Sequence, residues 1–294
     1  MIIEKKELDS KMKKIAVLGG TGMAGHVAVA YLKEHGYDVH YMSLSAPDTE
    51  KSKPIDATNT LAVHTWLESI KPDVVLNCIG ALQKESDTKP DRAILLNAYL
   101  PRYLEQRFID TSVKIIHLST DCVFSGKQGG YIEADFTDGD TVYDRTKALG
   151  EIVNNKDLTF RMSIIGPDCS VNGTGLFNWF MAQRGIVKGF TKAMWNGVST
   201  IELARAVCVA IEQDLNGLYH LVPEKPIDKY NLLLLFKDAF NRADVDIEPF
   251  DGFVVDKTLV NTRTDFDFEV RDYAQQVKDM RDWVDGHKDL YMHY

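Results

Sequence analysis

Short apolar runs alternate with helix-period segments through the first half of the chain. Lys14-Ile15-Ala16-Val17-Leu18 is a run of buried-strand type; a glycine-bearing turn follows, and a helix-like segment then continues to His35, where Gly36 stops it. Tyr37 to Leu44 predicts a second strand. Pro54 to Thr58 predicts a short strand end entering a helix capped by Thr58 or Asp56. A helix from about Asn59 to Ile70 gives way, after Lys71-Pro72-Asp73, to the apolar run Val74 to Ala81. Another helix, Asp91 to Asp110, leads to the strand Val113 to Ser119. Unbroken apolar strands separated by helices predict an α/β fold: a doubly wound parallel sheet of Rossmann type.

Lys156 to Pro167 reads as a sixth strand running out to a glycine and proline turn. Residues 175–183 predict an aromatic helix in which Phe177, Trp179 and Phe180 are core. A short strand, Ile186 to Thr191, is followed by a polar, glycine-bearing stretch holding Trp195, whose ring suits a platform for a nucleotide base or sugar face. A helix from Ile201 to Asp214, capped by Thr200, precedes Gly217 to Val222, a strand expected to return to the sheet. A leucine-rich helix (Asn231 to Ala239), a strand-like stretch (Asp246 to Val260) and an amphipathic helix (Tyr273 to Val284) complete the pattern. The expected organisation is a nucleotide-binding domain, 12–165 with return elements 201–222, and a smaller C-terminal substrate-binding lobe, 166–200 and 223–294.

With 294 residues, 45% hydrophobic and 26% charged, the chain has enough apolar material for such a core. A formal charge of −9 argues against nucleic acid or an anionic membrane as partner. Cys78, Cys122, Cys169 and Cys208 show neither CxxC nor zinc spacing, so no metal site is expected and the thiols suit a reducing compartment. Met1 to Lys14 is polar and lysine-rich, unlike a signal peptide or membrane span, and Met12 is an alternative start. A cytoplasmic location is expected.

Gly19, Gly22 and Gly25 lie between the first strand and its helix, where they allow a tight turn, close approach of a pyrophosphate, and close packing of helix on strand. This is a dinucleotide-binding arrangement. The second strand ends in Ser43, with no acid to hold an adenosine 2′-hydroxyl. His26, Lys51 and Lys53 are nearby, so NADPH is expected over NADH. Asp56 is either the cap or a partner for the adenine amino group.

Tyr143 and Lys147 are four residues apart at a helix start and therefore share a face. A lysine ammonium beside a phenol draws its pKa down from about 10. Such a tyrosine exchanges protons at neutral pH. Ligands in doubly wound sheets bind outside the strands' carboxyl ends, which brings the glycine turn, Asn77 to Ala81 and Ser119-Thr120-Asp121 together.

Five segments in this order resemble the extended short-chain dehydrogenase/reductases, and among them the dTDP-4-dehydrorhamnose reductase group. They are Gly19 to Gly25, Val75 to Ala81, Leu96-Asn97-Ala98, Leu118 to Gly126, and Tyr143 to Glu151. The resemblance implies that Tyr143 is the general acid for a sugar ketone, that Lys147 tunes it and holds the nicotinamide ribose, and that Thr120 bonds the reacting oxygen. It implies cofactor contacts at Met23, Ala24, Asp56, Ala57, Ile79, Gly80 and Ala81 as well as the glycines, and substrate contacts at Asp121 and Asn97. Asp121 also reads as a turn-forming carboxylate after a strand. The related dehydratases carry a glutamate where this chain has Cys122, so ketone reduction is expected rather than elimination. Ile164 stands where many relatives place a tryptophan. A sugar-nucleotide 4-epimerase of the same fold, which needs only the same Tyr143 and Lys147 and room for the keto sugar to rotate, is the alternative reaction, and proteins that resemble this family include the non-catalytic regulatory subunit of methionine adenosyltransferase. The expected activity is NADPH-dependent reduction of a nucleotide-linked 4-keto-6-deoxy sugar for polysaccharide precursors, in a chain able to form a homodimer.

Overall fold

The computed structural model describes residues 12–294; the expectations for residues 1–11 lie outside it. The N-terminal half begins β1 (Lys14–Leu18), α1 (Met23–Glu34), β2 (Asp38–Ser43), β3 (Ser52–Pro54), α2 (Thr60–Ile70) and β4 (Val74–Asn77). A broken helical stretch follows: α3 (Gln83–Thr88), α4 (Pro90–Ala93), a π-helical turn (Ile94–Tyr99) and α5 (Leu100–Phe108). Then come β5 (Lys114–Leu118), α6 (Val142–Gly150), β6 (Leu158–Arg161) and β7 (Ser163–Ile165). The rest is α7 (Leu176–Met181), β8 (Gly185–Trp195), β9 (Gly197–Ser199), α8 (Thr200–Glu212), β10 (Gly217–His220), β11 (Ile227–Asp228), α9 (Lys229–Ala239), β12 (Val245–Asp256) and α10 (Tyr273–Gly286).

The main sheet is wholly parallel, in the order β10-β6-β5-β4-β1-β2-β3. Its inner strands are buried on both faces, which is why they read as apolar runs. Strand order reverses at β1, flanked by β4 and β2, and this opens a crevice at their carboxyl ends. β10 returns to the sheet beside β6, in register from Gly217 with Leu158 to His220 with Arg161. A separate core is built from α7 to α10 around Phe177, Phe180, Phe236 and Trp283. Its three-stranded sheet has the order β11-β8-β12.

Several elements differ from the sequence expectation. Asn59 caps α2 by accepting the Ala62 amide, whereas Asp56 accepts both the amide and the hydroxyl of Thr58 at 2.9 Å. Ser199, not Thr200, caps α8. The single helix expected over 91–110 contains the π turn, which bulges the ladder by one residue at Asn97. The sixth strand breaks at Met162: its first part stays in the main sheet and its second pairs with β9. β8 continues through Trp195, so that residue belongs to a strand and not to a loop.

Candidate active site

The turn after β1 is fixed by backbone geometry. Gly19 has φ +80°, and the amides of Gly19 and Gly20 donate to the Met42 carbonyl of β2 at 2.8 and 3.0 Å. A Cβ on Gly25 would lie 2.1 Å from the Gly19 oxygen, so α1 packs this closely only with glycine there. A Cβ on Gly22 would meet nothing nearer than that oxygen at 3.5 Å, which leaves the space above the turn open. α1 has no side-chain cap and no acidic residue in its first turn. Its first amides and the positive end of its dipole therefore suit a pyrophosphate.

The positive groups expected near an adenosine 2′-phosphate are otherwise engaged. Lys51 pairs with Asp38 at 2.6 Å and Lys53 with Asp48 at 2.5 Å. His26 is buried: its Nδ1 donates to the Gly22 carbonyl at 2.9 Å and its Nε2 accepts from the Tyr291 hydroxyl at 2.6 Å. What stands at the end of β2 is a hydroxyl cluster, with Thr21 Oγ1 2.7 Å from Ser43 Oγ and 2.9 Å from Ser45 Oγ. Thr21 and Ser45 were not singled out from the sequence; hydroxyls just past a strand carry no distinct pattern.

A cleft of about 290 Å³ opens at the carboxyl ends of β1, β4 and β5. Met23 and Ala24 line it from the glycine turn, Ile79 and Gly80 from the β4 end, Thr120 and Asp121 from the β5 end, and Tyr143 and Lys147 from α6. Met162, Ser163 and Ile164 close the far wall. α6 is held at its start by a reciprocal cap, in which Thr141 Oγ1 accepts the Asp144 amide and the Asp144 carboxylate accepts the Thr141 amide. This fixes the turn that carries Tyr143.

Lys147 does not tune Tyr143 in the expected manner. Its ammonium is buried and donates to the Leu118 carbonyl at 2.6 Å. Burial pulls it down to about 8, opposed by Glu151. Burial also raises the Tyr143 phenol above its ordinary value; Cys122 and Asp121 add to the rise and a hydrogen bond with Thr120 opposes it. Tyr143 therefore holds its proton at neutral pH and is set up to donate it. Asp121 is raised by burial, with the Thr120 hydroxyl donating to it at 3.1 Å. The Cys122 thiol is pushed up to about 12 by burial and is unsuited to acid or base work near neutrality.

Two residues assigned to substrate stand elsewhere. Asn97 is fully buried: its Oδ1 accepts the Ala81 amide at 2.7 Å, and its Nδ2 donates to the Ala81 carbonyl at 3.0 Å and to Thr146 Oγ1 at 3.1 Å. With these bonds made, it braces the Gly80-Ala81 loop against α6 and offers nothing to a sugar. Trp195 is buried in the second core, tilted against Tyr273, with its indole N–H donating to Ser163 Oγ at 2.8 Å. Its ring is not an open platform; it backs a residue of the cleft wall. Asp56 and Ala57 follow β3 and lie outside the cleft, Asp56 facing Arg92 at 3.6 Å. Ala81 is buried under the loop it belongs to.

Residues 12–253 match the family model described as the RmlD substrate binding domain. The chain belongs to that family. Its fold is shared by the crystal structure of dTDP-4-dehydrorhamnose reductase from Bacillus anthracis in complex with NADP, at TM-score 0.78 and 17% identity, over 92% of this chain and 99% of that one. By sequence, the RmlD-family chain is 29% identical over 143 residues to a dTDP-4-dehydrorhamnose reductase of Aggregatibacter actinomycetemcomitans, covering 48% of this chain and 46% of that protein. It is 21% identical over 262 residues to methionine adenosyltransferase 2 subunit beta of Xenopus tropicalis, covering 81% of this chain and 75% of that protein. The sequence match to the Aggregatibacter reductase thus spans about half its length. Among the described residues, no helix is long and apolar enough to cross a membrane.

Proposed function

We propose that this protein reduces the 4-keto group of a nucleotide-linked 4-keto-6-deoxy sugar with NADPH, on the way to cell-surface polysaccharide. The reading is carried by the meeting of Thr120, Tyr143 and Lys147 in one cleft beside an uncapped, glycine-built helix start. The nicotinamide, when bound, supplies hydride. Tyr143 donates the proton that the incoming hydride makes necessary on the ketone oxygen, and Thr120 orients that oxygen. Lys147 holds the nicotinamide ribose through its ammonium. The Thr21, Ser43 and Ser45 hydroxyls, with no carboxylate among them, favour a 2′-phosphate over the acid-bound 2′-hydroxyl of NADH. Met162 and Ile164 make an apolar wall suited to a deoxy carbon.

The same reading places the sugar nucleotide between a nucleotide-binding lobe, 12–165 with 201–222, and a substrate lobe, 166–200 with 223–294. The test is oxidation of NADPH, followed by its absorbance, with dTDP-4-keto-6-deoxy-L-mannose and UDP-linked relatives generated in place. Oxidation with one of them, and a product reduced at carbon 4, supports the reading. Interconversion of sugars with no net NADPH consumption means an epimerase instead.

A second reading follows from the long alignment with the methionine adenosyltransferase beta subunit: a non-catalytic, NADP-binding regulatory chain. Tight NADPH binding without turnover of any keto sugar, together with co-purification with a synthetase, would favour it.

A further inference from the structure

Helix α6 and the residue that ends it grip the end of β5 at two adjacent positions. Lys147 donates to the Leu118 carbonyl at 2.6 Å, and Glu151, four residues on, accepts from the Ser119 hydroxyl at 2.6 Å through Oε1. The next residue along that strand end is Thr120. Arg161 of β6 closes the clamp from the other side, Nε to Oε1 at 2.8 Å and Nη2 to Oε2 at 2.6 Å. The Arg161 guanidinium lies 5.0 Å above the Phe124 ring, and its Nη1 is 2.9 Å from His220 Nε2. Ser119, Glu151 and Arg161 are all buried. Burying such a pair costs several kcal/mol per ion before any return, and apolar side chains of equal volume hold strands together as well or better. The carboxylate therefore calls for an explanation beyond packing.

The surroundings of Lys147 supply one. Tyr143 on its own helix keeps its proton. Cys78, after β4, is pushed up to about 12 by burial and stays a thiol. His117 of β5 is held well below its ordinary value by burial and stays neutral, with Arg102 of α5 beyond it. Glu151 is thus the anion that acts on this ammonium, and it does so while bonded to Arg161.

We infer that Glu151 is a positioning residue: its carboxylate, held by Ser119 and Arg161, supplies a buried negative charge four residues along from Lys147 and fixes the strand end bearing Thr120. The inference rests on the proposed reductase reading for its consequence in turnover, but its test does not. Lys147 lines the cleft, but its ammonium is buried against the Leu118 carbonyl, so its titration is read without a reagent. The pH dependence of the Lys147 side-chain NMR resonances, in protein carrying isotope-labelled lysine and assigned by comparison with Lys147→Arg, reads the protonation midpoint of that one amine.

Glu151→Gln, which keeps the shape and an acceptor, should lower the midpoint by about a unit or more, raising the neutral fraction of Lys147 at pH 7 from roughly a tenth to about half. A wild-type midpoint in a variant with a cooperative melt overturns the inference. Should Glu151→Gln not fold, Glu151→Asp, which withdraws the charge by one methylene, is read in its place. It must show a smaller shift in the same direction, and a wild-type midpoint there overturns the inference equally. If the midpoint shifts but the wild type reduces no keto sugar, the positioning role stands and the reductase reading falls. If the wild type turns over and the midpoint does not move, the converse holds.

Discussion

Lys147 Nζ sits 2.6 Å from the carbonyl oxygen of Leu118, one helical turn from Tyr143. The cation is thus anchored to the strand end, with a protonation midpoint near 8, while the phenol retains its proton well above that pH. Ketone reduction needs both groups protonated. For the proposed reaction, kcat/KM should be level through neutral pH and fall about tenfold per unit above pH 8, since this parameter reports the free enzyme. A pH profile of kcat/KM for NADPH at a saturating sugar concentration checks it, and a level profile well past that point contradicts the role given to Lys147.

Removing the acid alone isolates its contribution. Tyr143→Phe should bind NADPH nearly as the wild type does, by fluorescence titration, yet lose roughly 10²–10⁴ in kcat. Full activity in this variant would remove Tyr143 from the mechanism.

The glycines of the first turn should separate into two phenotypes. At Gly22 an added Cβ finds only ordinary contact, so Gly22→Val should melt close to wild type while its side chain fills the space left for a pyrophosphate, weakening NADPH binding. At Gly25 the Cβ would strike the Gly19 oxygen at 2.1 Å. Gly25→Ala should lose stability by about 1–3 kcal/mol, the usual range for overpacking, or fail to fold. Thermal melts and cofactor titrations of both variants check the distinction.

Asn97→Ala tests the brace. It leaves the amide and carbonyl of Ala81 without their side-chain partner in a buried loop, and an unmet buried polar group costs about 1–3 kcal/mol. Stability should fall by that order and NADPH affinity should drop with it, because the loop carries Ile79 and Gly80 into the cleft. A direct sugar contact would instead raise the sugar KM and leave the melt unchanged.

Acid should destabilise the fold before the lowered carboxylates come into play. Burial lowers the histidines His26, His117 and His220, the last to about 4. An unfolded histidine takes up its proton near pH 6.5. Below that pH the unfolded chain binds protons that the folded one refuses, so stability is full above pH 6.5 and declines as pH falls toward the folded values. Each such group contributes a slope of up to about 1.4 kcal/mol per unit. Melting temperatures between pH 7 and pH 4.5 check the window, and a constant value across it would contradict the burial of these rings.

The main sheet was legible because strands buried on both faces must be apolar throughout, as β4 and β5 are. The glycine turn was legible because positive φ and close approach exclude other residues. The π turn at Asn97 was not: one extra residue in a helix leaves the helical composition unchanged. Trp195 was misread for a related reason. β8 alternates lysine, glycine and apolar residues along a half-exposed strand, and that mixture resembles a loop until β11 and β12 are seen to pair with it. Lys51 looked available because Asp38 becomes its partner only once β2 and β3 lie side by side, and Lys53 because Asp48 meets it only when the connection between those strands folds back. Glu151 stood in plain view four residues after Lys147, but Ser119 and Arg161, which give it a role, come from two other elements.

The bond between His26 and Tyr291 joins residues 265 positions apart. His26 belongs to α1, which leaves the ribosome early, and Tyr291 to a segment made after every named strand. The N-terminal half can assemble its sheet early and pack Ala24, Ala28, Val29 and Leu32 of α1 on it, but His26 gains its hydroxyl partner only once residue 291 has emerged. A nascent chain stalled short of that point would carry the whole glycine turn yet leave the buried His26 ring, on the first turn of α1, without its hydroxyl partner, so the helix that starts at the turn is completed by a residue made long after it.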